Sequence, residues 1–386
     1  MRPLPEPPRI LQYTYGGSHV SGIDNYLLET FRAIDTARVQ FDFLFRYEPP
    51  FTGEQLEELA GRGARVAALH IEEKQHPILK QAQEAVRLVQ FFSKNRYHVI
   101  EINMTSTFMC LQTSMIARLF GTRVRIVHAH DAATSESLGK KALKRLAAPL
   151  LRASATDYWA CAPEAARYLF GEKPVSRGDW SLIRNSIDVS RFEFDPLERR
   201  QARSELGLDD AFVVGIIGRV TEQKNHAFAL EVFAEAARLR ADAQLVVVGD
   251  GPLIDQVQRR TDELGLQDRV VFLGSRTDVP RLLSAFDALL APSHHEGFPI
   301  IAIEAQATGV PTLASTAYPE TSAIVPGLLV RKSLSDSSQE WASELVALES
   351  SDRVNRATQV KTAGYDRESA ARDLEKKYSV LVNRKK

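Results

Sequence analysis

The sequence predicts an α/β protein built from two doubly wound parallel-sheet domains. Short apolar runs rich in Val, Ile and Leu alternate with longer segments of helical period. Such runs are typical of parallel strands that helices cover on both faces. The alternation occurs twice, and a polar, charge-rich stretch over residues 188–210 separates the two halves. We therefore predict one domain over residues 1–190 and a second over residues 191–365.

Short apolar runs supply the strand candidates of both sheets. The first half contains RILQYTY, FDFLF, RVAAL, HVIEI, RVRIVHAH, DYWACA and WSLIRN, and the second FVVGIIGRV, QLVVVGDG, RVVFLGS, DALLAPS and VPTLAST. Ligands of open parallel sheets bind beyond the carboxyl ends of the strands, so two such sheets predict a cleft between those ends. The loops that follow strands therefore carry the candidate functional residues.

The composition argues against several classes of protein. The 386 residues carry 49 Lys and Arg against 49 Asp and Glu, so no global field attracts nucleic acid, and we expect no nucleic-acid partner. Cys110 and Cys161 fit neither a disulfide framework nor a zinc cluster. The first residues lack the apolar run of a secretory signal, and no run is long enough to cross a bilayer. We expect a cytoplasmic protein.

Two loops of the second half combine glycines with cations. Gly218 ends a strand, Arg219 follows it, and Lys224 precedes the next helical segment. A guanidinium fork and an ammonium beside a helix N-terminus suit a phosphate group, which we prefer to a pair of solvated cations. The following strand runs into Gly249 and Gly251, which permit close backbone approach. The alternative for these two glycines is a plain strand–helix turn.

The stretch HHEGFPIIAIE, residues 294–304, opens an apolar helix after a buried strand. We predict that Pro299 takes the first helical position and that the helix ends at Gly309. The early N–H groups, from Gly297 onward, carry partial positive charge that favours a phosphate or sugar oxygen.

Two carboxylates bracket this segment. Glu304 lies in the helix, where it can accept hydrogen bonds from a vicinal diol, as acidic residues do with ribose. Glu296 lies in the preceding loop, nearer the reacting centre. The alternative is a solvated Glu296 and a Glu304 that only complements the helix dipole.

In the first half, the candidates follow two strands. We assign His128 and His130 to opposite faces of a strand end and prefer His130 as the cleft-facing hydrogen-bond donor. The HxH spacing also occurs in metal sites, but no third ligand is evident. After the first strand, Gly16, Gly17 and Gly22 permit the backbone to approach a phosphate, with a structural turn as the competing interpretation.

The sequence contains no Asp-x-Asp motif. A diphosphate leaving group without a carboxylate-held metal needs protein cations instead, and Arg219 and Lys224 are the available pair. We expect neither a metal nor a cofactor.

Together these stretches resemble the retaining glycosyltransferases of the GT-B fold, family 4. The matching elements are GRVTEQKNH, VVVGDGPL, LGSRTDVPRLLSAFDALLAPSHHEGFPIIAIEAQATGVPTLAS and IRNSIDVSRFEFD. SGIDNYLLETFRAIDTARVQFDFLF, RIVHAHD and ATDYWACAPEAARYLFGEKP are similar to the capsular and exopolysaccharide branch. The resemblance covers nearly the whole chain. It implies two Rossmann-like domains facing across a cleft, with the last helix, about 366–386, crossing back onto the first domain.

The resemblance also implies a reaction. It is the metal-independent, retaining transfer of a hexose-type sugar from a nucleoside-diphosphate sugar, with UDP-sugars favoured, to a glycan or lipid-linked glycan acceptor in cell-surface polysaccharide synthesis. The favoured family picture is front-face attack in which the leaving phosphate oxygen takes the acceptor's proton, with double displacement as the alternative.

The resemblance assigns the catalytic and donor-binding residues. Arg219 and Lys224 would neutralise the diphosphate, and His130 would contact the transferred sugar. Glu304 would hold the ribose hydroxyls, and Glu296 the sugar. The other donor-binding candidates, all in the loops that carry the motifs, are Gly16, Gly17, Gly22, Gly218, Gly249, Gly251, Arg276, Gly297, Phe298, Pro299 and Ile300.

Three motifs depart from the family pattern. Gly-Gly-x-Glu appears as Ser-Gly-Ile-Asp at residues 21–24, so we expect Gly22 to matter more than its neighbours. Ser186 replaces the glycine of Asn-Gly-Ile-Asp and should distort the turn if a positive φ is needed there. The usual Asn after the second His is Asp131, which bears on acceptor preference.

Residues 139–154, GKKALKRLAAPLLRAS, combine an apolar face with basic residues. This pattern is typical of a helix that lies on an anionic membrane, with a solvated helix packed on the first sheet as the alternative. Lipid-carried acceptors favour peripheral attachment to the inner face of the membrane. The basic residues are Lys140, Lys141, Lys144, Arg145 and Arg152.

Two other functions fit the same architecture. A nucleotide-sugar 2-epimerase needs acid and base residues in the cleft and no acceptor site, and it would turn over the donor without an acceptor. A non-catalytic nucleotide-sugar or glycan-binding protein would bind the donor without turnover. The combination of both glutamates with Arg219, Lys224 and His130 argues against the binding protein.

Overall fold

The structure, a computed structural model, describes residues 7–18, 20–72, 74–131, 138–348 and 353–384. The chain divides into two compact units, Met1–Ser186 with Arg367–Lys386, and Ile187–Asp366. Each unit contains one parallel β-sheet with helices between its strands. The predicted α/β class, with two doubly wound parallel sheets, is confirmed.

The first unit is built on a seven-stranded parallel sheet. Its strands are β1 Arg9–Thr14, β2 Gln40–Phe45, β3 Val66–Ala68, β4 Val99–Ile102, β5 Val124–Ala129, β6 Asp157–Ala160 and β7 Ser181–Leu182. They lie in the order β3-β2-β1-β4-β5-β6-β7, so the order reverses between β1 and β4. Every residue of β2, β4 and β5 is buried, as expected for strands that helices cover on both faces.

Seven helices follow these strands within residues 22–176 of the described chain. They are α1 Gly22–Ala33, α2 Gly53–Gly61, α3 Pro77–Lys94, α4 Thr107–Leu119, α5 Leu138–Ser154, α6 Pro163–Phe170 and α7 Glu172–Ser176. A capping box starts α1: the Asp24 amide donates to Ser21 Oγ at 3.2 Å, and the Ser21 amide donates to Asp24 Oδ2 at 3.0 Å. Thr14 at the end of β1 donates to the other oxygen of Asp24. The shortened acid at residue 24 therefore fixes the start of α1.

The second unit is built on a six-stranded parallel sheet. Its strands are β8 Phe212–Ile217, β9 Ala243–Val248, β10 Val270–Gly274, β11 Ala288–Ala291, β12 Thr312–Ser315 and β13 Leu329–Lys332. They lie in the order β10-β9-β8-β11-β12-β13, which reverses between β8 and β11. The sequence prediction missed β13. This edge strand is half-buried and ends in two cations, so it shows no continuous apolar run.

The helices of the second unit cover both faces of this sheet. They are α8 Pro196–Glu205, α9 His226–Leu239, α10 Ile254–Glu263, α11 Val279–Ala285, α12 Ile300–Thr308, α13 Ser338–Ala347 and α14 Ala357–Val360. The short turns Val189–Phe192 and Glu222–Lys224 are 3₁₀ helices. The loops after β8 and β11 meet where the strand order reverses, which is where open parallel sheets bind ligands.

The last helix, α15 Arg367–Asn383, belongs to the first unit. Leu374, Tyr378 and Leu381 are buried in the core cluster of that unit. The Tyr378 ring packs 5.8 Å from the Phe41 ring and 5.2 Å from the Trp159 ring, measured between centroids. The helix therefore brings a tyrosine hydroxyl beneath the central strands of the first sheet.

The basic stretch 139–154 lies on α5, but the side chains of residues 138–143 and 145 lie outside the described residues. The membrane contacts predicted for Lys140, Lys141 and Arg145 therefore fall on side chains outside the described residues. Lys144 Nζ lies 3.4 Å from the centroid of the Tyr168 ring. Across the described ranges, we find no helix with both the length and the apolar character needed to cross a bilayer.

Candidate functional site

An ion pair joins the two loops that the sequence singled out in the second unit. Lys224 Nζ, in the loop after β8, lies 2.6 Å from Glu296 Oε1, in the loop after β11. The Glu296 side chain is 7% exposed and that of Lys224 is 22% exposed, so the pair is largely shielded from water. The residue predicted to bind the diphosphate, Lys224, is therefore in direct contact with the residue predicted to bind the sugar, Glu296.

Two more hydrogen bonds hold the same loops together. Gln223 Nε2 donates to the His295 carbonyl at 3.0 Å, and the His294 amide donates to the Gln223 carbonyl at 2.8 Å. Asn225, which connects the turn to α9, adopts a left-handed backbone with φ 55° and ψ 48°. Asn tolerates this conformation better than most residues. These bonds hold the residues next to Lys224 and Glu296 in the sequence, so they fix the positions of both loops.

The glycines of the phosphate-binding prediction have a packing explanation. A side chain at Gly249 would overlap the Gly218 carbonyl oxygen, and one at Gly251 would overlap the Val220 carbonyl oxygen. A Cβ at Gly218 would lie 3.3 Å from Lys224 Cε. These three glycines let the loops after β8 and β9 pack backbone to backbone beneath the lysine chain.

The two arginines of the prediction differ in availability. Arg219 is exposed, and its guanidinium forms no hydrogen bond or ion pair with any residue that the structure describes. Arg276, in contrast, donates from Nε and Nη2 to the two carboxylate oxygens of Asp278, both at 2.7 Å. Arg219 is therefore ready to bind an anion, whereas Arg276 must first leave Asp278.

Helix α12 runs from Ile300 to Thr308, and Gly309, where the sequence predicted its end, is the C-cap residue with a left-handed φ of 77°. Pro299 occupies the N-cap, with φ −71° and ψ 115°, and not the predicted first helical position. Its extended ψ places it just outside the helix. A proline side chain cannot accept a hydrogen bond, so no side-chain cap satisfies the first N–H groups of α12.

An aromatic stack holds the start of α12. The Phe298 ring lies 5.4 Å from the Tyr365 ring, with 13° between the ring planes. Phe298 is 5% exposed, and Gly297 and Pro299 are also buried. Tyr365 lies far away in the sequence, and the residue pattern contained no signal for it.

Glu304 is half-buried and accepts no side-chain hydrogen bond from the described residues. Burial raises the pKa of its carboxyl from 4.5 to about 7, and the nearby Arg191 charge acts in the opposite direction. Arg191 lies in the turn Val189–Phe192, and the sequence prediction missed it. The carboxylate therefore has free capacity to accept hydrogen bonds from a ligand.

The predicted placement of the two histidines on opposite faces is wrong. Side chains alternate along a strand, so residues two apart share a face. The ring centroids of His128 and His130 lie 3.9 Å apart. His128 is fully buried, and its Nδ1 lies 2.6 Å from Glu101 Oε1.

His130 is half-buried, and its Nε2 lies 2.7 Å from Asn103 Oδ1. Burial, followed by the charge of His128, holds the pKa of His130 well below its usual 6.5, so the ring is neutral at pH 7.

Within the described ranges, no cluster of three or more His, Cys, Asp or Glu side chains is arranged to hold a metal ion.

The glycines of the first unit also have local explanations. Gly16 has a φ of 66°, and a side chain there would overlap the Glu48 carbonyl oxygen. The Gly17 amide donates to the same oxygen at 2.8 Å. A Cβ at Gly22 would have no neighbour within 4 Å, so space does not require glycine there. Ser186 is not among the described residues with a positive φ, so serine causes no backbone strain there.

The chain is similar to a family of known proteins and to individual curated relatives. Residues 198–367 match the family model for glycosyl transferases group 1. The chain is 28% identical over 381 residues to the "Putative glycosyltransferase EpsF" of Bacillus subtilis (strain 168), covering 96% of this chain and 97% of the relative. It is 26% identical over 307 residues to the UDP-Gal:alpha-D-GlcNAc-diphosphoundecaprenol alpha-1,3-galactosyltransferase of Escherichia coli, covering 77% and 76%.

Solved structures share the whole architecture. Anabaena Alr3699/HepE in complex with UDP has a TM-score of 0.75 at 19% identity, covering 97% of this chain and 100% of that one. WaaG, a glycosyltransferase involved in lipopolysaccharide biosynthesis, has a TM-score of 0.71 at 15% identity, covering 97% and 99%. These likenesses establish a two-domain, Rossmann-like GT-B fold.

Proposed function

We propose that this chain, a group 1 glycosyltransferase with the GT-B fold, transfers a hexose-type sugar from a UDP-sugar to a glycan or lipid-linked glycan. The transfer retains the anomeric configuration, needs no metal, and serves cell-surface polysaccharide synthesis. The family match and the named relatives place the chain among transferases, which favours this activity over an epimerase or a non-catalytic binding protein.

The observation that carries the proposal is the ion pair of Lys224 and Glu296 beside the uncapped start of α12. An ammonium group has three donors, and Glu296 uses one of them, so Lys224 keeps two for phosphate oxygens. Arg219 adds a guanidinium fork that no described residue engages, and the N–H groups of α12 add partial positive charge. Donors fixed in advance stabilise the charge that develops on a leaving diphosphate.

Glu296 has two roles in this proposal. Its Oε1 holds Lys224 in place, and its second oxygen accepts hydrogen bonds from hydroxyl groups of the transferred sugar. The positive charge of Lys224 lies directly against the buried carboxylate of Glu296 and offsets its negative charge. The carboxylate therefore binds and positions, and no step requires it to attack the anomeric carbon.

Glu304 is proposed to bind the ribose. The free carboxylate lies in α12 beyond the helix start, where it can accept a hydrogen bond from each hydroxyl of a vicinal diol. Hydrogen bonds to the charged form of an acid lower its pKa, so ribose binding and ionisation of Glu304 favour each other.

Names of similar proteins direct the choice of donor. The E. coli relative is named for UDP-Gal and for an acceptor carried on diphosphoundecaprenol. Titles of the Anabaena structures name UDP and UDP-glucose. We therefore propose a UDP-sugar donor and a lipid-linked acceptor, with peripheral contact between α5 and an anionic inner membrane face.

Thermal-shift titration of the full chain with UDP-, GDP- and ADP-sugars tests the donor. A ligand that binds only the folded state raises the melting temperature by an amount that grows with the logarithm of its concentration relative to Kd, so at equal concentrations a UDP-sugar should give the largest shift. Transfer is then assayed with lipid-linked glycan acceptors, and the anomeric product is identified by NMR. Conversion of the donor to an epimer without acceptor, or stabilisation by no UDP-sugar, would overturn the proposal.

A further inference from the structure

A buried carboxylate lies at the centre of a polar network in the first unit. Glu101, on β4, is 1% exposed. Its Oε1 lies 2.6 Å from His128 Nδ1. Its Oε2 accepts hydrogen bonds from Gln12 Nε2, at 3.2 Å, and from the hydroxyl of Tyr378. Three donors from β5, β1 and α15 thus satisfy one carboxylate inside the protein.

This carboxylate sets the direction of the neighbouring hydrogen bonds. The Tyr378 hydroxyl donates to a carboxylate oxygen of Glu101. The same hydroxyl oxygen accepts from Gln12 Nε2 at 3.0 Å. The Glu101 carboxylate and the Tyr378 oxygen both act as acceptors here, so the side-chain amide of Gln12 must face them with its NH₂ group and not with its oxygen. The Gln12 carbonyl oxygen then faces Asn103, whose Nδ2 donates to it at 3.0 Å.

The chain of bonds ends at His130. With its amide nitrogen committed to Gln12, Asn103 presents Oδ1 to the imidazole, 2.7 Å from His130 Nε2. An amide oxygen has no hydrogen, so the imidazole must donate, and Nε2 carries the proton. His130 Nδ1 has no hydrogen-bond partner among the residues that the structure describes. In a neutral ring this nitrogen is an acceptor.

We propose that Tyr378 is a positioning residue that, through Glu101, Gln12 and Asn103, holds His130 as the Nε2–H tautomer and keeps Nδ1 as an acceptor for a sugar hydroxyl. The inference rests on the proposed function, because that function brings a sugar to His130. It reverses the polarity expected from the sequence, where His130 was predicted to donate. It also means that the last helix, α15, acts through Tyr378 on a candidate catalytic residue of the first unit.

The alternatives to this arrangement leave polar atoms unsatisfied. If Asn103 were turned by 180°, its NH₂ group would face His130 and its oxygen would face the Gln12 oxygen, so two acceptors would meet. Turning Gln12 as well would place its oxygen against the Glu101 carboxylate. The side chains of Gln12, Glu101, Asn103 and Tyr378 are each 1% exposed or less, so water does not relieve such contacts.

The tautomer is measured directly by ¹⁵N NMR of the full chain labelled at histidine. The His130→Gln variant identifies the His130 signals among the nine histidines. We expect Nε2 in the protonated range and Nδ1 in the unprotonated range for the ligand-free wild type. A wild-type His130 with the proton on Nδ1 would overturn the inference. This readout does not depend on turnover, so it stays separate from the transfer assay that tests the proposed function.

Two variants test the part played by the network. Tyr378→Phe and Gln12→Met remove one link each and should mix the two tautomers of His130. Tyr158→Phe is the matched control, since its hydroxyl donates to the Arg152 carbonyl, outside the network, at 2.9 Å. We expect Tyr378→Phe to lower kcat/KM for the donor by about fivefold, the scale of one hydrogen bond, and Tyr158→Phe to leave it unchanged.

Folding of each variant is checked by its melting curve. A shifted tautomer in a folded Tyr378→Phe protein supports the proposal. An unchanged tautomer in both folded network variants would refute it. If Tyr378→Phe does not fold, Gln12→Met, which keeps the side-chain length, provides the same comparison.

Discussion

The ammonium nitrogen of Lys224 lies 2.6 Å from a carboxylate oxygen of Glu296, and this contact ties the loop after β8 to the loop after β11. The two residues stand 72 positions apart in the chain. Their contact places a positive and a negative group at the point where the strand order of the second sheet reverses. One side of the pair is therefore suited to phosphate and the other to hydroxyl groups.

Breaking this pair should destabilise the protein. Lys224→Met leaves the buried Glu296 carboxylate without its counter-charge, which we expect to lower the free energy of unfolding by about 3 kcal/mol. Urea denaturation measures the change. The double variant Lys224→Met with Glu296→Gln should lose less than the sum of the single variants, because it leaves no unpaired charge. Additive losses would show that the two groups are not coupled.

The raised pKa of Glu304 predicts a pH-dependent stability. Since the folded pKa is about 7 and the ordinary value is 4.5, the unfolded chain ionises first as pH rises. The free energy of unfolding should therefore decrease between about pH 4.5 and pH 7 by an amount that Glu304→Gln removes. Denaturation curves of both proteins across this range provide the measurement. Parallel pH profiles would contradict the assignment.

Glu304 should also decide the preference for ribose. In the wild type, UDP should bind more tightly than 2′-deoxy-UDP by about tenfold or more, the scale of a hydrogen bond to a charged group. Glu304→Ala should remove this ratio, while Glu193→Ala, which changes a glutamate outside the site, should preserve it. Calorimetric titration gives both affinities. If Glu304→Ala keeps the ratio, the ribose assignment is wrong.

The stack of Phe298 on Tyr365 should matter for donor binding more than for folding. Tyr365→Leu removes an aromatic pair worth about 1 kcal/mol, so the protein should still fold while the start of α12 becomes less well positioned. We expect a raised KM for the donor. Tyr365→Phe keeps the ring and removes the hydroxyl, which donates a weak 3.4 Å hydrogen bond to the Thr321 carbonyl, so its KM should stay near the wild-type value. Equal KM values for Leu and Phe would argue against the stack.

Membrane contact through α5 is tested by flotation with vesicles. Anionic vesicles should carry the protein upward at low salt, because a basic helix is attracted to an anionic surface and salt screens the attraction. Charge reversal at Lys141, Lys144 and Arg145 should weaken flotation, and neutral vesicles serve as the control. Flotation that is the same for the variant and the wild type would refute this attachment.

Much of the architecture followed from local patterns. The predicted apolar runs coincide with the strands β1 to β12 to within one residue at the start of β2 and β9, because buried parallel strands need continuous apolar residues, which the sequence shows directly. The end of α12 at Gly309 was predicted for a similar reason, since a left-handed C-terminal residue favours glycine. The resemblance to the GT-B glycosyltransferases, carried by motifs within single loops, is confirmed by the family match and the relatives. The edge strand β13 was missed because its half-buried residues lack that pattern.

Other features depended on contacts between distant residues. The sequence identified Lys224 and Glu296 as candidates but assigned them separate tasks, and only the folded loops show that they form a pair. Tyr365 and Arg191 carry no motif, and they reach the site because neighbouring elements pack on α12.

By itself, then, the sequence determined the class of fold, the resemblance to glycosyltransferases and the loops that carry the candidate residues, because strand burial, turn residues and loop motifs are local properties of the chain. Only the tertiary structure decided which charges are paired, that no described residue donates a hydrogen bond to the Glu304 carboxylate, and which side chains meet at His130. The physical reason is that charge pairing, burial and hydrogen-bond direction depend on which side chains meet in space. Tyr378 and Gln12, separated by 366 positions, meet only in the folded protein.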